Sequence, residues 1–111
     1  MENTVITLTG SHTADIRTLT RLLKQGISAD LISESQQEPG NARIILLCFE
    51  KYYLRNNSYA SLTILLTEDD AEQTAEIIGF GGGNGLFNIS FGANSNFANT
   101  AVKILKEHGF S

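Results

Sequence analysis

The chain has 111 residues, with 8 Lys and Arg against 12 Asp and Glu for a formal charge of -4, a hydrophobic share of 41% and a charged share of 18%. Those proportions belong to a folded globular protein rather than a disordered one, and one domain spanning 1–111 is large enough to fold without disulfides or a metal. The acidic balance argues against nucleic-acid and anionic-membrane partners, because phosphate neutralisation by Lys and Arg supplies most of that affinity.

Val5–Thr9 alternates apolar and hydroxyl side chains and predicts a short strand ending at Gly10. Ser11 or Thr13 is expected to cap the following helix, with Asp15 suited to its positive end. Ile16, Leu19, Leu22 and Leu23 recur at helical spacing, and Gly26 is expected to stop the helix in a left-handed turn. Arg17, Arg21 and Lys24 lie on that helix and do not form a basic patch.

Residues 28–34 predict a weak second strand, and 36–41, holding the single proline, a loop. Residues 42–54 predict a long strand, apolar on both faces through Ile44–Phe49 and mixed beyond Glu50. Asn56 and Asn57 tolerate a tight turn, after which 59–67 runs back, with Leu62, Ile64 and Leu66 on one face. Glu68–Glu72 is an acidic connection, and two further strands flank a glycine run. The last of these, with Phe87, Ile89 and Phe91 in alternation, precedes a C-terminal helix capped by 94–96 and followed by Gly109.

Short links between successive strands imply antiparallel pairing. The expectation is an α+β two-layer sandwich in the order β-α-β-β-β-β-β-α, an antiparallel sheet of about five to six strands with both helices on one face. Cys48, the single cysteine, excludes an internal disulfide and suits a reducing cytoplasm. Glu2 stands where a secretory signal wants positive charge, and no run reaches the roughly 18 apolar residues of a membrane span. A soluble cytoplasmic protein is expected.

The run Gly81, Gly82, Gly83, Asn84 and Gly85 invites comparison with a phosphate cradle. A dinucleotide loop needs G-x-G-x-x-G at the start of a helix, and from Gly79 the last required glycine is Asn84. No Lys-Ser or Lys-Thr pair supplies a P-loop, and a strand follows the run. It reads as a structural turn, where glycine accepts positive φ. His12 reads as a local partner for Asp15, His108 as a helix-end residue, and Cys48 as a small buried hydrophobe. Too few nitrogen and sulfur ligands exist for a zinc site, and Glu68–Glu72 lacks the pattern of a calcium loop. No cofactor, metal or catalytic group is expected.

Glu50, Tyr52, Tyr53, Arg55 and Tyr59 gather around one hairpin. Cross-strand aromatic pairing accounts for them structurally, and they are also the residue types of an interaction surface. With both helices on one side, either Ile45, Leu47 and Phe49 or their alternating neighbours lack a cover, and an uncovered apolar face marks an interface. The functional expectation is therefore a non-enzymatic binding or self-association module, with a homodimer through the open sheet face. The alternative is a small-ligand binder or enzyme whose pocket lies between sheet and helices near Glu50, Tyr52 and His12.

From Phe49-Glu-Lys-Tyr-Tyr53, through Ser61–Leu66, Gly81-Gly-Gly-Asn84 and Phe87–Gly92, to the closing helix, the chain resembles a family of small uncharacterised bacterial proteins. Members carry a Glu-(Arg/Lys)-Tyr strand, a Gly-Gly-Ser-like hairpin and a terminal amphipathic helix. Gly83-Asn84 departs from the Gly-Ser of that pattern. The family is a domain of unknown function, so the resemblance implies a fold but no reaction, cofactor or site residue.

Overall fold

The alternation of the long central strands builds the protein around one sheet. The computed structural model describes residues 2–54, 57–81 and 97–111. Within them the chain forms β1 (Glu2–Thr9), α1 (Ile16–Gly26), β2 (Asp30–Gln37), β3 (Arg43–Tyr53), β4 (Ser58–Glu68), β5 (Gln73–Gly81) and α2 (Phe97–Glu107). The strands form one open sheet in the order β1-β5-β4-β3-β2, every neighbouring pair antiparallel. The fold is α+β, as expected. The further strand expected over 86–91, the caps at 94–96 and most of the glycine run lie outside the described residues.

Register decides which side chains the helices cover. Ile45, Leu47 and Phe49 of β3 pair with Leu66, Ile64 and Leu62 of β4, and Leu66 and Ile64 pair in turn with Ala75 and Ile77 of β5. All are buried, in one cluster with Ile16, Leu19 and Leu23 of α1 and Ala98, Ala101, Val102 and Leu105 of α2. Burying each such aliphatic side chain stabilises the fold by about 1.5–3 kcal/mol before entropy is counted. Both helices therefore lie on one face of the sheet.

Helix α1 buries Ile16, Leu19, Thr20 and Leu23, the i, i+3, i+4, i+7 stripe of an amphipathic helix. Its N-cap is Asp15, whose carboxylate accepts the Thr18 N–H at 2.8 Å; neither Ser11 nor Thr13 fills that place. The two hydroxyls hydrogen-bond each other instead, at 2.7 Å. Gly26 is the last helical residue and does not adopt positive φ, and Ile27 leaves the helix in extended conformation. What Gly26 supplies is space, because a Cβ there would lie 2.6 Å from Cδ1 of Ile104 on α2.

Helix α2 ends in a Schellman closure. Gly109 has φ 90°, the Phe110 N–H donates to the Leu105 carbonyl at 3.1 Å, and the Phe110 ring is buried. The chain then returns to β1: Thr9 and Ser111 exchange backbone hydrogen bonds at 3.0 and 2.9 Å. Strand β2 starts and ends later than expected, at 30–37, with an irregularity between Leu31 and Ser33, and all eight of its residues are exposed. Among the described residues no helix is long and apolar enough to cross a membrane.

Candidate interaction surface

The side of the sheet facing away from the helices is read from the same registers, since directly paired residues share a face. Across its middle run Ser33, Cys48, Thr63, Ile78 and Val5, and beside them Ser35, Leu46, Leu65, Glu76 and Thr7. The next row is Gln37, Ile44, Thr67, Thr74 and Thr9. On the other flank lie Asp30, Glu50, Ser61 and Phe80, and then Tyr52 opposite Tyr59. No described element covers this face.

Cys48 belongs here and not to the core. Successive side chains in a strand alternate, so placing Ile45, Leu47 and Phe49 under the helices turns Ile44, Leu46 and Cys48 outward. Cys48 is only partly buried, with its Sγ 4.0 Å from the Thr63 hydroxyl. The expectation of a small buried hydrophobe is corrected accordingly.

The tyrosine hairpin closes one end of the face. The Tyr52 and Tyr59 rings have centroids 4.8 Å apart and planes inclined at 51°, an edge-tilted pair of the kind that stabilises adjacent strands. Tyr52 also donates its hydroxyl to Asn57 Oδ1, and Asn57 holds φ 51° in the turn. Glu50 lies one row further in, beside Ser61. The Tyr53 side chain and Arg55 lie outside the described residues. Gly81 ends β5 with φ 97°, while Gly82, Gly83, Asn84 and Gly85 lie outside them.

Charge divides between the two sides of the sheet. Arg17, Arg21 and Lys24 sit on α1 and Lys103 and Lys106 on α2, while Arg43 and Lys51 share the helix-facing side of β3 with Ile45 and Phe49. Asp30, Glu50 and Glu76 are on the open face. Among the described residues that face bears carboxylates and no Lys or Arg.

A second feature lies at the opposite end of β3. A cleft of about 610 Å³ is lined by His12, Asp15, Glu38, Gly40, Asn41, Ala42, Arg43, Glu68, Asp69 and Asp70. Its charges are mutually engaged. Arg43 bridges Glu38 at 3.0 Å and Glu68 at 3.5 Å, and Arg17 reaches Glu38 at 2.7 Å. The Arg43 guanidinium, then that of Arg17, holds the Glu38 carboxyl below the usual carboxylate range. The Asp69 carboxylate accepts the N–H groups of Glu72 and Ala71 at 2.7 and 2.8 Å, which lowers its pKa in the same way.

His12, at φ 60°, directs its Nε2 to the Asp69 carbonyl at 2.9 Å and not to Asp15. His108 turns its Nδ1 to the Ile104 carbonyl at 2.8 Å, at the end of α2. No group of three or more His, Cys, Asp or Glu side chains among the described residues has the arrangement of a metal site. Glu50 and Tyr52 are on the open face and His12 is in the cleft, so the three do not share one pocket.

The comparisons with known proteins bear on the whole chain. A family model, "Family of unknown function (DUF6054)", matches residues 1–109. The chain belongs to DUF6054. No curated protein and no solved structure matches it.

Gln73 is the residue of this DUF6054 chain that its sequence signals least. It is fully buried and ties the approach to α1 onto β5, and nothing local distinguishes it from the chain's other glutamines. The open face was visible as a pair of alternatives on β3, which the placement of the helices resolves.

Proposed function

We propose that this protein is a docking module that works through the open face of its sheet and performs no catalysis of its own. One observation carries the reading: on a side of the sheet with no described cover, Tyr59 is 61% exposed, Val5 59%, Phe80 50% and Tyr52 40%. Beside Val5 lies the partly buried Ile78, and one row further from the tyrosines lie the partly buried Leu65 and Leu46. Scattered exposed apolar residues are ordinary on a protein surface, but a contiguous apolar field on one sheet face is the mark of an interaction site. The engaged charges of the cleft support the same reading, because Arg43 already pairs with Glu38 and Glu68 and Asp69 already accepts two backbone N–H groups.

The test is binding of an environment-sensitive apolar dye to the native chain. Fluorescence enhancement by the wild type, lost in a Leu46→Thr, Leu65→Thr, Ile78→Thr variant of unchanged circular dichroism, is the expected result. A native chain that leaves the dye dark overturns the reading. Self-association through this face is its homotypic form, and sedimentation velocity over a concentration series measures it.

A further inference from the structure

Resting on that docking reading, we infer that the partner is a cationic amphipathic helix of another protein and not a second copy of this chain. Charge distinguishes the two occupants. Glu50 and Glu76 lie on the open face, and among the described residues neither has an ion-pair partner. Glu76 is partly buried in a row with Leu65 and Leu46. Any occupant of the face removes water from that carboxylate, which is costly unless a cation replaces the water. Among the described residues, a second copy would bring only further carboxylates from the same face, and like charges across an interface disfavour that pairing.

The aromatic end favours the same chemistry. The paired rings of Tyr52 and Tyr59 border Glu50, and a guanidinium or ammonium is attracted both to a ring face and to a carboxylate.

The geometry sets the spacing of the cations. Glu50 is in the row of Phe80, four residues along β5 from Glu76, and β3 lies two strands from β5. With a rise of about 3.3 Å per residue and a strand spacing of about 4.8 Å, the two carboxylates are roughly 16 Å apart on the diagonal. At about 1.5 Å per residue that distance spans about eleven residues of helix, three turns, which brings both ends onto the same side. The midpoint of the diagonal is Thr63, flanked by Leu65 and Ile78. The fitting helix therefore carries Arg or Lys about eleven positions apart, bracketing an apolar stripe.

Two designed peptides test this by fluorescence anisotropy. Both are amphipathic helices with the same apolar stripe, one with Arg and the other with Glu at the bracketing positions. The Arg peptide is expected to bind and to weaken as salt rises. Glu76→Gln and Glu50→Gln, at unchanged melting temperature, are each expected to weaken it by about tenfold. Equal binding of the Glu peptide, no effect of either substitution, or no binding of either peptide overturns the inference. So does a dimer in sedimentation that Leu65→Glu dissociates, since the occupant is then a second copy. In each of those cases a positive dye result leaves the docking face itself standing.

Discussion

The Gln73 carboxamide accepts the backbone N–H of His12 at 3.0 Å, across a sequence separation of 61 residues. Its nitrogen donates to the Ala14 carbonyl and to Glu68, each at 2.7 Å, and its backbone carbonyl accepts the Gly10 N–H at 2.7 Å. One buried side chain thus satisfies the irregular backbone between β1 and α1, which has no ladder of its own. Gln73→Leu keeps the volume and removes every one of the side-chain bonds. Each buried group left unpaired costs about 1–3 kcal/mol, so the variant should lose roughly 2–4 kcal/mol in urea unfolding. A loss below about 0.5 kcal/mol would mean that water reaches these groups.

Gly10 and Gln73 make a matched pair. A Cβ at Gly10 would run into the Gln73 Oε1 and lie 2.7 Å from the Phe110 ring. Gly10→Ala should therefore destabilise by displacing the same amide, and Gly10→Ala in the Gln73→Leu background should cost less than in wild type. Strict additivity of the two in a double-mutant cycle would contradict the coupling.

Gly81 and Gly40 separate backbone strain from crowding. Both have positive φ, 97° and 63°, but a Cβ at Gly81 would stand 2.9 Å from the Tyr59 carbonyl oxygen, whereas nothing lies within 4 Å at Gly40. Gly40→Ala meets only the left-handed penalty, roughly 1–2 kcal/mol. Gly81→Ala adds a clash with backbone in the tyrosine hairpin and should have the lower melting temperature of the two.

Acid should weaken the fold through named carboxylates. Asp15 is lowered by the Thr18 N–H at the N-cap, Asp69 by the Glu72 and Ala71 N–H groups, Glu34 by Lys24, and Glu38 by Arg43 and then Arg17. A group whose pKa is depressed on folding binds its proton more readily in the unfolded chain, so stability rises with pH across its titration. The contribution is complete above the unfolded carboxylate values near about 4 and is lost as pH falls through the folded ones. The melting temperature should be level from pH 7 to about 5 and drop below about 4. Asp15→Asn keeps a capping oxygen without the charge and should make the drop shallower.

Legibility in the sequence followed the range of each interaction. The pairing of β3 with β4 was readable because alternation and the turn signal of the Asn56-Asn57 sequence are local. The helical stripe of α1 was readable for the same reason. Which face of β3 the helices cover was not, because Ile44–Phe49 is apolar on both sides and the choice rests on packing against β4 and β5. That ambiguity carried Cys48 to the wrong side. Three oxygen-bearing side chains precede α1, and only the three-dimensional path of the loop selects Asp15 as its cap. Gln73 was invisible because its partners on the approach to α1, His12 and Ala14, lie about sixty residues away, and β2 extended to Gln37 because β3 supplies a partner that Ser and Gln propensity does not anticipate.

Ile64 and Leu65 are neighbours on β4 with opposite surroundings. Ile64 is fully buried beneath the helices, between Leu47 and Ile77, whereas Leu65 points to the open face between Leu46 and Glu76. Truncating a packed core side chain removes its transfer energy and leaves a cavity, so Ile64→Ala should cost about 2–5 kcal/mol. Leu65→Ala removes contacts on one side only and should cost under about 1 kcal/mol in the isolated chain. Chemical denaturation of both variants measures the difference, and a midpoint shift with unchanged slope confirms that stability alone has changed. If Leu65→Ala proves as damaging as Ile64→Ala, the open face is enclosed in the isolated protein and cannot be its docking surface. If instead only Ile64→Ala unfolds the chain early, Leu65 is free to serve an occupant at little cost to the fold.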